Sequence, residues 1–310
     1  MPRVSIGIPV FNGERYLANA LASVLGQSFR DFELILSDNA STDATPDICA
    51  AAAAADSRVR YERRPHNVGA AANFNEVFRH ASSPYFMWVC ADDRLDPTFL
   101  GKAVEVLDTQ ADITLCYARC VMVDEDDRPL VRDPISGMYV DSRGGRRTGP
   151  APGDVAVQIA APTRFVDVLS RARQSFPLLG LHRVSTLRRT HLFQSLYGSD
   201  RNLLAEIALY GRFHQIQEDL FFKREHYEQS VALTSYEAKA KWLDPRARSR
   251  LFPHLKLAEL DCRAILRAPL SLGDKGRLLA YIARRDLGIR SILLRPENWR
   301  RSYHGRQNIH

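Results

Sequence analysis

The chain has 310 residues and a mass of 35.0 kDa, with 45% hydrophobic and 25% charged residues. That composition excludes a disordered, collagen-like or disulfide-stapled chain. The net charge is +7, and Arg supplies all but six of the 43 basic residues, which suits phosphate binding but also fits a GC-rich coding sequence. Five cysteines with no CxxC spacing point to reduced thiols in a cytoplasmic setting rather than to zinc or disulfides. No signal-like run follows the N-terminus, and no window approaches the ~18–20 apolar residues of a membrane span.

Residues 4–10 alternate Val4, Ile6, Ile8 and Val10, which predicts a strand that ends in the turn Pro9 to Gly13. Helical spacing of Leu17, Ala20, Leu21, Val24 and Leu25 predicts a helix over 14–26. A strand at 32–37 stops at Asp38 to Asp43, and a helix at 44–55 follows with six consecutive alanines. Next come a strand at 59–63, a helix at 68–81, a strand at 85–90 running into Asp92 and Asp93, a helix at 97–108 and a strand at 113–123. This rhythm predicts βαβ units and a mainly parallel sheet buried on both faces. Ligands in such sheets bind at the carboxyl ends of strands. The polar clusters Pro9–Asn12, Asp38–Asp43 and Asp92–Asp96 all fall there.

Residues 134–153 form a Gly-, Pro- and Arg-rich stretch that reads as a lid. A helix at 162–172, an apolar stretch Phe176–Leu181, a helix at 199–211 and two short strands within 213–225 follow. Beyond ~235 the pattern is helical and Arg-rich, which predicts a C-terminal extension over 231–310.

Several segments in order carry a resemblance to a known family. VSIGIPVFNGERYLANALASVLGQSFRDFELILSDNASTD, then ASSPYFMWVCADDRLDP, GLHR at 180–183, SDRNLLAEIALYGRF at 199–213 and FFKREH at 221–226 resemble family 2 glycosyltransferases of the GT-A fold. The resemblance covers roughly residues 3–230. It implies one α/β catalytic domain over 1–230, with a nucleotide-sugar half over 1–123 and an acceptor half over 124–230. The implied activity is inverting transfer of a sugar from a nucleoside diphosphate sugar, a UDP-sugar first, to an acceptor hydroxyl.

The resemblance also assigns residues. Asp38 and Asn39 flank the base, and Pro9 and Phe11 line the same pocket, where a carboxylate could accept from a uracil imide N–H. Asn39 stands where many relatives carry a second Asp. Asn12 and Glu14 lie beside the nucleotide, although Asn-Gly turn chemistry and an acidic first helical turn explain them equally. Asp93 is the expected ligand of Mn²⁺ or Mg²⁺, with Asp92 nearer the ribose or sugar and Cys90 where relatives begin the motif with Asp. The alternative for the pair is a solvated acidic turn. Asp200 matches the family's general base, and a helix N-cap is its alternative. Glu218 and Asp219 are the other acids near enough in sequence for that role. His226 is a third metal ligand or a diphosphate contact, or else a surface or core histidine. Arg64, His66, Asn67 and Asn73 open the helix before the acidic motif and suit phosphate or sugar, or loop and cap roles.

A nucleotidyltransferase is the rival enzyme, but the loop after the first strand is PVFNGE rather than rich in Gly and Arg. A basic nucleic-acid module is the non-enzyme rival, yet no RRM, KH or zinc pattern is present and the expectation is no nucleic-acid partner. The absence of spans and of QxxRW predicts a non-processive enzyme acting on a glycan, a lipid-linked acceptor or a small natural product. Leu278, Leu279 and Ile282 through Leu294, interleaved with Arg, fit either a helix lying on the inner face of an anionic membrane or one packed on the catalytic domain or on a second subunit.

Overall fold

The computed structural model describes residues 1–135, 138–140, 146–147, 155–172, 175–226, 233, 235–247 and 253–286. Most of the expected lid and everything after Asp286 lie outside the described residues. The first half alternates β1 (Val4–Val10), α1 (Leu17–Leu25), β2 (Phe32–Asp38), α2 (Thr45–Ala55), β3 (Val59–Arg63), α3 (Ala70–Arg79), β4 (Tyr85–Trp88), β5 (Arg94–Leu95), α4 (Phe99–Thr109) and β6 (Ile113–Val123). Three two-residue strands follow: β7 (Val131–Arg132), β8 (Tyr139–Val140) and β9 (Arg146–Arg147). The second half holds α5 (Ala161–Arg171), a 3₁₀ turn at Phe176–Leu179, β10 (Leu181–Arg183), α6 (Val184–Leu187), α7 (Ser199–Tyr210), β11 (Arg212–Arg224), α8 (Tyr236–Leu243), α9 (Pro253–Arg267) and α10 (Leu272–Asp286).

The main sheet has eight strands in the order β3-β2-β1-β4-β10-β6-β11-β5. β1, β2, β3 and β4 are mutually parallel, and β6 is parallel to β11. β10 is antiparallel to both β4 and β6. Two antiparallel steps restore direction, so β4, β6 and β11 end at the same edge as β1, β2 and β3. The sheet is therefore mainly parallel, as expected, and its carboxyl edge collects six strand ends.

Alternation explains the two cores. Val4, Ile6, Ile8, Tyr85, Met87 and Val89 pack with α1 and α4 on one face. Phe86, Trp88 and Leu115 pack with α3, α5 and α7 on the other. Burial on both faces is what a parallel sheet with crossover helices requires. α3 lies so close to β1 that a Cβ at Gly7 would fall 2.6 Å from Val77 Cγ2.

Two local expectations shift, and one open alternative narrows. α1 begins at Leu17 rather than at 14, because residues 13–16 form a turn in which Leu17 N–H donates to the Gly13 carbonyl (3.0 Å). The stretch 213–225 is one 13-residue strand, not two. Its exposed Gln217, Glu218 and Asp219 interrupt the apolar pattern at register shifts that hold the strand together as a bulge. The extension does not stand apart. Ala258 and Ile265 of α9 and Leu278 and Ile282 of α10 join the core built by Phe165, Leu203 and Phe213.

Candidate functional site

The loop after β1 and the loop after β2 are laced together. Asn12, at φ 50°, accepts from Thr42 N–H on Oδ1 (2.9 Å), while its own N–H donates to Ser41 Oγ (2.9 Å). Gly13 N–H donates to Thr45 Oγ1 (2.8 Å), and Glu14 Oε2 accepts from Ala44 N–H (2.9 Å). Asp43 accepts from Glu14 N–H and Thr45 N–H, both at 3.0 Å. Glu14 thus helps to cap α2, the neighbouring helix, instead of opening α1. Asn12 and Glu14 shape the rim of the site through these bonds.

Asp38 ends β2 fully buried. Its carboxylate accepts from Ser41 N–H (2.8 Å) and Tyr61 OH (3.2 Å) and lies 3.3 Å from Arg63 Nε. Burial, with Asp38 next to it, pushes the Tyr61 hydroxyl up to about 12. Asn39 donates to Asn67 Oδ1 (2.9 Å) and accepts from Val68 N–H (2.9 Å), which ties the β2 end to the entrance of α3. Asn67 Oδ1 also accepts from Gly69 N–H (2.8 Å). Asn73 is buried, accepting from Ser37 Oγ (2.6 Å) and donating to the Ser37 carbonyl (2.9 Å), so its amide braces α3 to β2. Arg64 is paired with Glu76 (2.9 Å). Pro9 is buried in β1 opposite Ser37, whereas Phe11, just past the strand end, is 47% exposed and offers a ring to the edge.

The acidic pair follows β4. Val89 N–H still donates to the Gly7 carbonyl (3.0 Å), and the chain then turns with Asp93 N–H donating to the Cys90 carbonyl (3.3 Å). Asp93 points inward and is 3% exposed, with Oδ1 accepting from Arg224 N–H (3.0 Å). Burial, and then Asp92, push its carboxyl well above the usual range, against the pull of Lys223. Asp92 points outward, with its side chain 28% exposed and Oδ2 at 3.0 Å from His226 Nε2. Burial and the two carboxylates raise the Cys90 thiol well above its ordinary range. Burial opposes the charge on Lys223, but Asp93 and Glu225 outweigh it and keep the ammonium above its usual range. Cys90, Asp92 and Asp93 offer ligand atoms within 4.8 Å of one another, the one such cluster among the described residues. The donor set is mostly hard oxygen, and its negative charge is only partly offset, which fits a divalent cation.

His226 follows the end of β11, as expected of it, and packs 4.9 Å from the Tyr16 ring, tilted by 50° to it. Arg224 is the residue that sequence reasoning missed. It is 1% exposed and donates from Nε to the Asp92 carbonyl (3.1 Å), from one terminal nitrogen to the carbonyls of Asp124 and Glu125 (both 3.1 Å) and from the other to Asp127 Oδ1 (2.8 Å). Its guanidinium also covers the Tyr16 ring at 4.6 Å. The one available signal was the charged pair Lys223-Arg224 closing the apolar Leu220-Phe221-Phe222 run of a strand.

Asp200 lies in the first turn of α7. The N-cap is Gly198 at φ 93°, a conformation suited to glycine, so Asp200 is not the cap. Among the described residues its carboxylate takes no hydrogen bond or ion pair. Arg212, just after α7, pairs with Ile113 at the start of β6, so α7 ends at the amino edge of the sheet. Twelve residues carry it ~18 Å, about the height at which β4 ends. Phe193, on the loop before α7, touches Trp88 at that end (5.2 Å between rings) and is clamped by Asn75 through two bonds (2.8 and 3.0 Å). Asp200 thus opens the helix whose preceding loop reaches the end of β4. Glu218 and Asp219 are instead paired on the surface with Lys102 and Arg119.

The family model described as "Glycosyl transferase family 2" matches residues 5–165, just over half of the chain. The chain belongs to glycosyltransferase family 2. A Bacillus subtilis protein named as a glycosyltransferase, EpsE, is 34% identical over 125 residues, 40% of this chain and 45% of that protein. TuaG of Bacillus subtilis, named for teichuronic acid biosynthesis, is 28% identical over 144 residues, 46% of this chain and 57% of that protein. The matched stretches thus span less than two thirds of these relatives. Among solved structures, S. aureus TarS 1–349 in complex with UDP-GlcNAc superposes with a TM-score of 0.61 at 18% identity, covering 93% of this chain and 73% of that one. That likeness extends the GT-A fold of this family 2 chain beyond residue 165, into the C-terminal helices. No helix of the described residues is long and apolar enough to cross a membrane.

Proposed function

We propose that this family 2 chain is a non-processive inverting glycosyltransferase. It moves a sugar from a nucleoside diphosphate sugar, a UDP-sugar first, to a hydroxyl of a growing glycan or lipid-linked saccharide. The observation that carries the reading is the outward Asp92 carboxylate, held by His226 just past the carboxyl ends of β4 and β11. Asp200 takes the acceptor hydroxyl proton as that oxygen bonds to the anomeric carbon. The bond from that carbon to the diphosphate breaks in the same displacement, and the electron pair leaves on the diphosphate. A divalent cation, Mn²⁺ or Mg²⁺, held by Asp92 and His226 would neutralise the diphosphate charge.

Asp93 is the inner of the two carboxylates: it ties the motif to the end of β11 through Arg224 N–H, and its ligand atom lies within 4.8 Å of those of Asp92 and Cys90. Phe11 offers a stacking surface for the base, and Asp38 and Asn39 form the floor of that pocket. Support for UDP comes from the TarS complex, and support for a polysaccharide product comes from the relative named for teichuronic acid biosynthesis. The catalytic unit runs over 1–230, and the helices after 231 complete its core.

A panel of UDP-, GDP- and dTDP-sugars with Mn²⁺ or Mg²⁺ tests the reading. Release of nucleoside diphosphate from one donor class is expected. Salt-sensitive RNA binding without turnover of any donor would replace the enzyme with a binding module.

A further inference from the structure

Helix α7 carries Asp200 but has no side-chain N-cap, so its own first turn is weakly fixed. Other elements hold it. Asn202, two residues after Asp200, is 3% exposed and donates from one amide nitrogen to Asp261 Oδ1 (2.6 Å) and to the Leu257 carbonyl (3.0 Å), both on α9. Leu257 also presses its side chain on the helix start, with Cδ1 3.5 Å from where a Cβ of Gly198 would lie. Asp261 is fully buried, and its second oxygen accepts from Arg285 of α10 (2.8 Å). One turn further along α7, the fully buried Glu206 takes Arg267 of α9 (2.6 Å) and the N–H of His191 (3.0 Å). His191 opens the loop that sets Phe193 against Trp88.

We infer that α9 and α10 are part of the catalytic apparatus, with Asp261 acting through Asn202 as a positioning residue for Asp200. This rests on the reading of Asp200 as the base. The physical argument is register. Apolar helix faces tolerate sliding, because Leu and Ile contacts are interchangeable over a fraction of a turn. Directional bonds between buried polar groups do not, since a small slide leaves each partner desolvated and unsatisfied. Replacing buried ion pairs by apolar residues is often neutral for stability, so stability alone is a poor account of a charge network here. A network gripping the first two turns of α7 fixes the height and rotation of the helix, and with them the aim of a carboxylate that has no bond of its own. Misplacement of a reacting group by about 1 Å costs ~10²-fold in rate.

The test is a double-mutant cycle on the full chain, with UDP as the binding probe and nucleoside diphosphate release from the donor found in the panel as turnover. Asn202→Ala is expected to lower kcat at least tenfold, to leave the UDP Kd within twofold and to raise hydrogen exchange in residues 198–206 but not in β1 or β4. Asp261→Asn, which keeps the size and an acceptor for Asn202, is expected to follow in the same direction by a smaller factor and serves if the first variant does not fold. In an Asp200→Asn background, Asn202→Ala is expected to cost nothing further. Equal losses in both backgrounds, or unchanged exchange at 198–206, would overturn the positioning role. An Asp200→Asn variant with normal turnover would instead overturn the base assignment. An inactive Asp200→Asn beside a fully active Asn202→Ala would overturn positioning alone.

Discussion

Removing the Arg224 guanidinium is the sharpest probe of the acidic edge. Its forked group holds the carbonyls of Asp92, Asp124 and Glu125 and one oxygen of Asp127 at 2.8–3.1 Å. Arg224→Met removes the guanidinium, and its cover over Tyr16, but keeps the backbone N–H on Asp93, so the end of β11 stays tied to the motif. It strands the buried carbonyl of Asp124 and the part-buried carbonyl of Asp92, and each unsatisfied buried group costs about 1–3 kcal/mol. The total loss is about 3–5 kcal/mol, the range seen when one partner of a buried charged network is deleted. With a urea slope near ~3 kcal/mol/M, the unfolding midpoint falls by about 1–2 M. Arg224→Lys keeps the charge but not the fork, and should fall between the two. Asp127→Asn is the control. That side chain is 35% exposed, so its loss should cost less than about 1 kcal/mol. Titration with urea at pH 7, followed by far-UV circular dichroism, measures all four proteins. Arg224→Met within 1 kcal/mol of wild type, or Asp127→Asn as costly as Arg224→Met, would refute the view that the guanidinium works mainly on backbone carbonyls beneath Asp92.

Three other outcomes are expected. Asp200→Asn lowers turnover by ~10²–10⁴ and leaves UDP binding unchanged; loss of UDP affinity would move Asp200 out of the base role. Asp92→Asn abolishes the Mn²⁺-dependent part of UDP binding at unchanged melting temperature, whereas Asp93→Asn changes the melting temperature first; calorimetry on both variants reads the difference, and the reverse pattern would make Asp93 the ligand. Burial, partly offset by the Leu178 carbonyl, holds His182 down at about 4 instead of 6.5. The unfolded imidazole therefore gains its proton at a pH where the folded one does not, and stability present above pH 6.5 is lost as the pH falls toward 4, by about 3 kcal/mol. His182→Gln should remove that part of the acid slope, and identical slopes in the two proteins would show that His182 is not its source.

Much of the fold was legible because its signals are local. The alternation from Val4 to Val10 marks a strand wherever it lies in the molecule, and the spacing from Leu17 to Leu25 marks a helix. The placement of Asp38 and Asp92 after strands also followed from sequence, since strand ends in a parallel sheet share an edge. What was not legible depends on distant partners. Asp92 and Asp93 are chemically identical in the sequence, and only Arg224, 131 residues beyond Asp93, turns one inward and leaves the other exposed. Asn73 and Asn67 read as ligand groups because an amide suits a sugar as well as it suits a loop. Their bonds are to Ser37 and Asn39, which no spacing rule connects to them.

The amphipathic stretch around Leu278 and Ile282 shows the same limit from the other side. Periodicity establishes that a helix has an apolar face, but a membrane, a second subunit and the chain's own core all cover such a face equally well. The deciding information is polar. Arg285 sits on α10 beside that face, and its guanidinium reaches Asp261 and, through it, the first turn of α7. A helix meant to lie on lipid would turn its arginines outward, toward anionic headgroups. Here one of them is spent inward on a buried carboxylate, while Leu278 and Ile282 close the core with Phe165. The described apolar face of α10 thereby packs on the catalytic domain with Arg285 tied inward to Asp261, while Arg277 and Arg284 of the same helix stay on the outside.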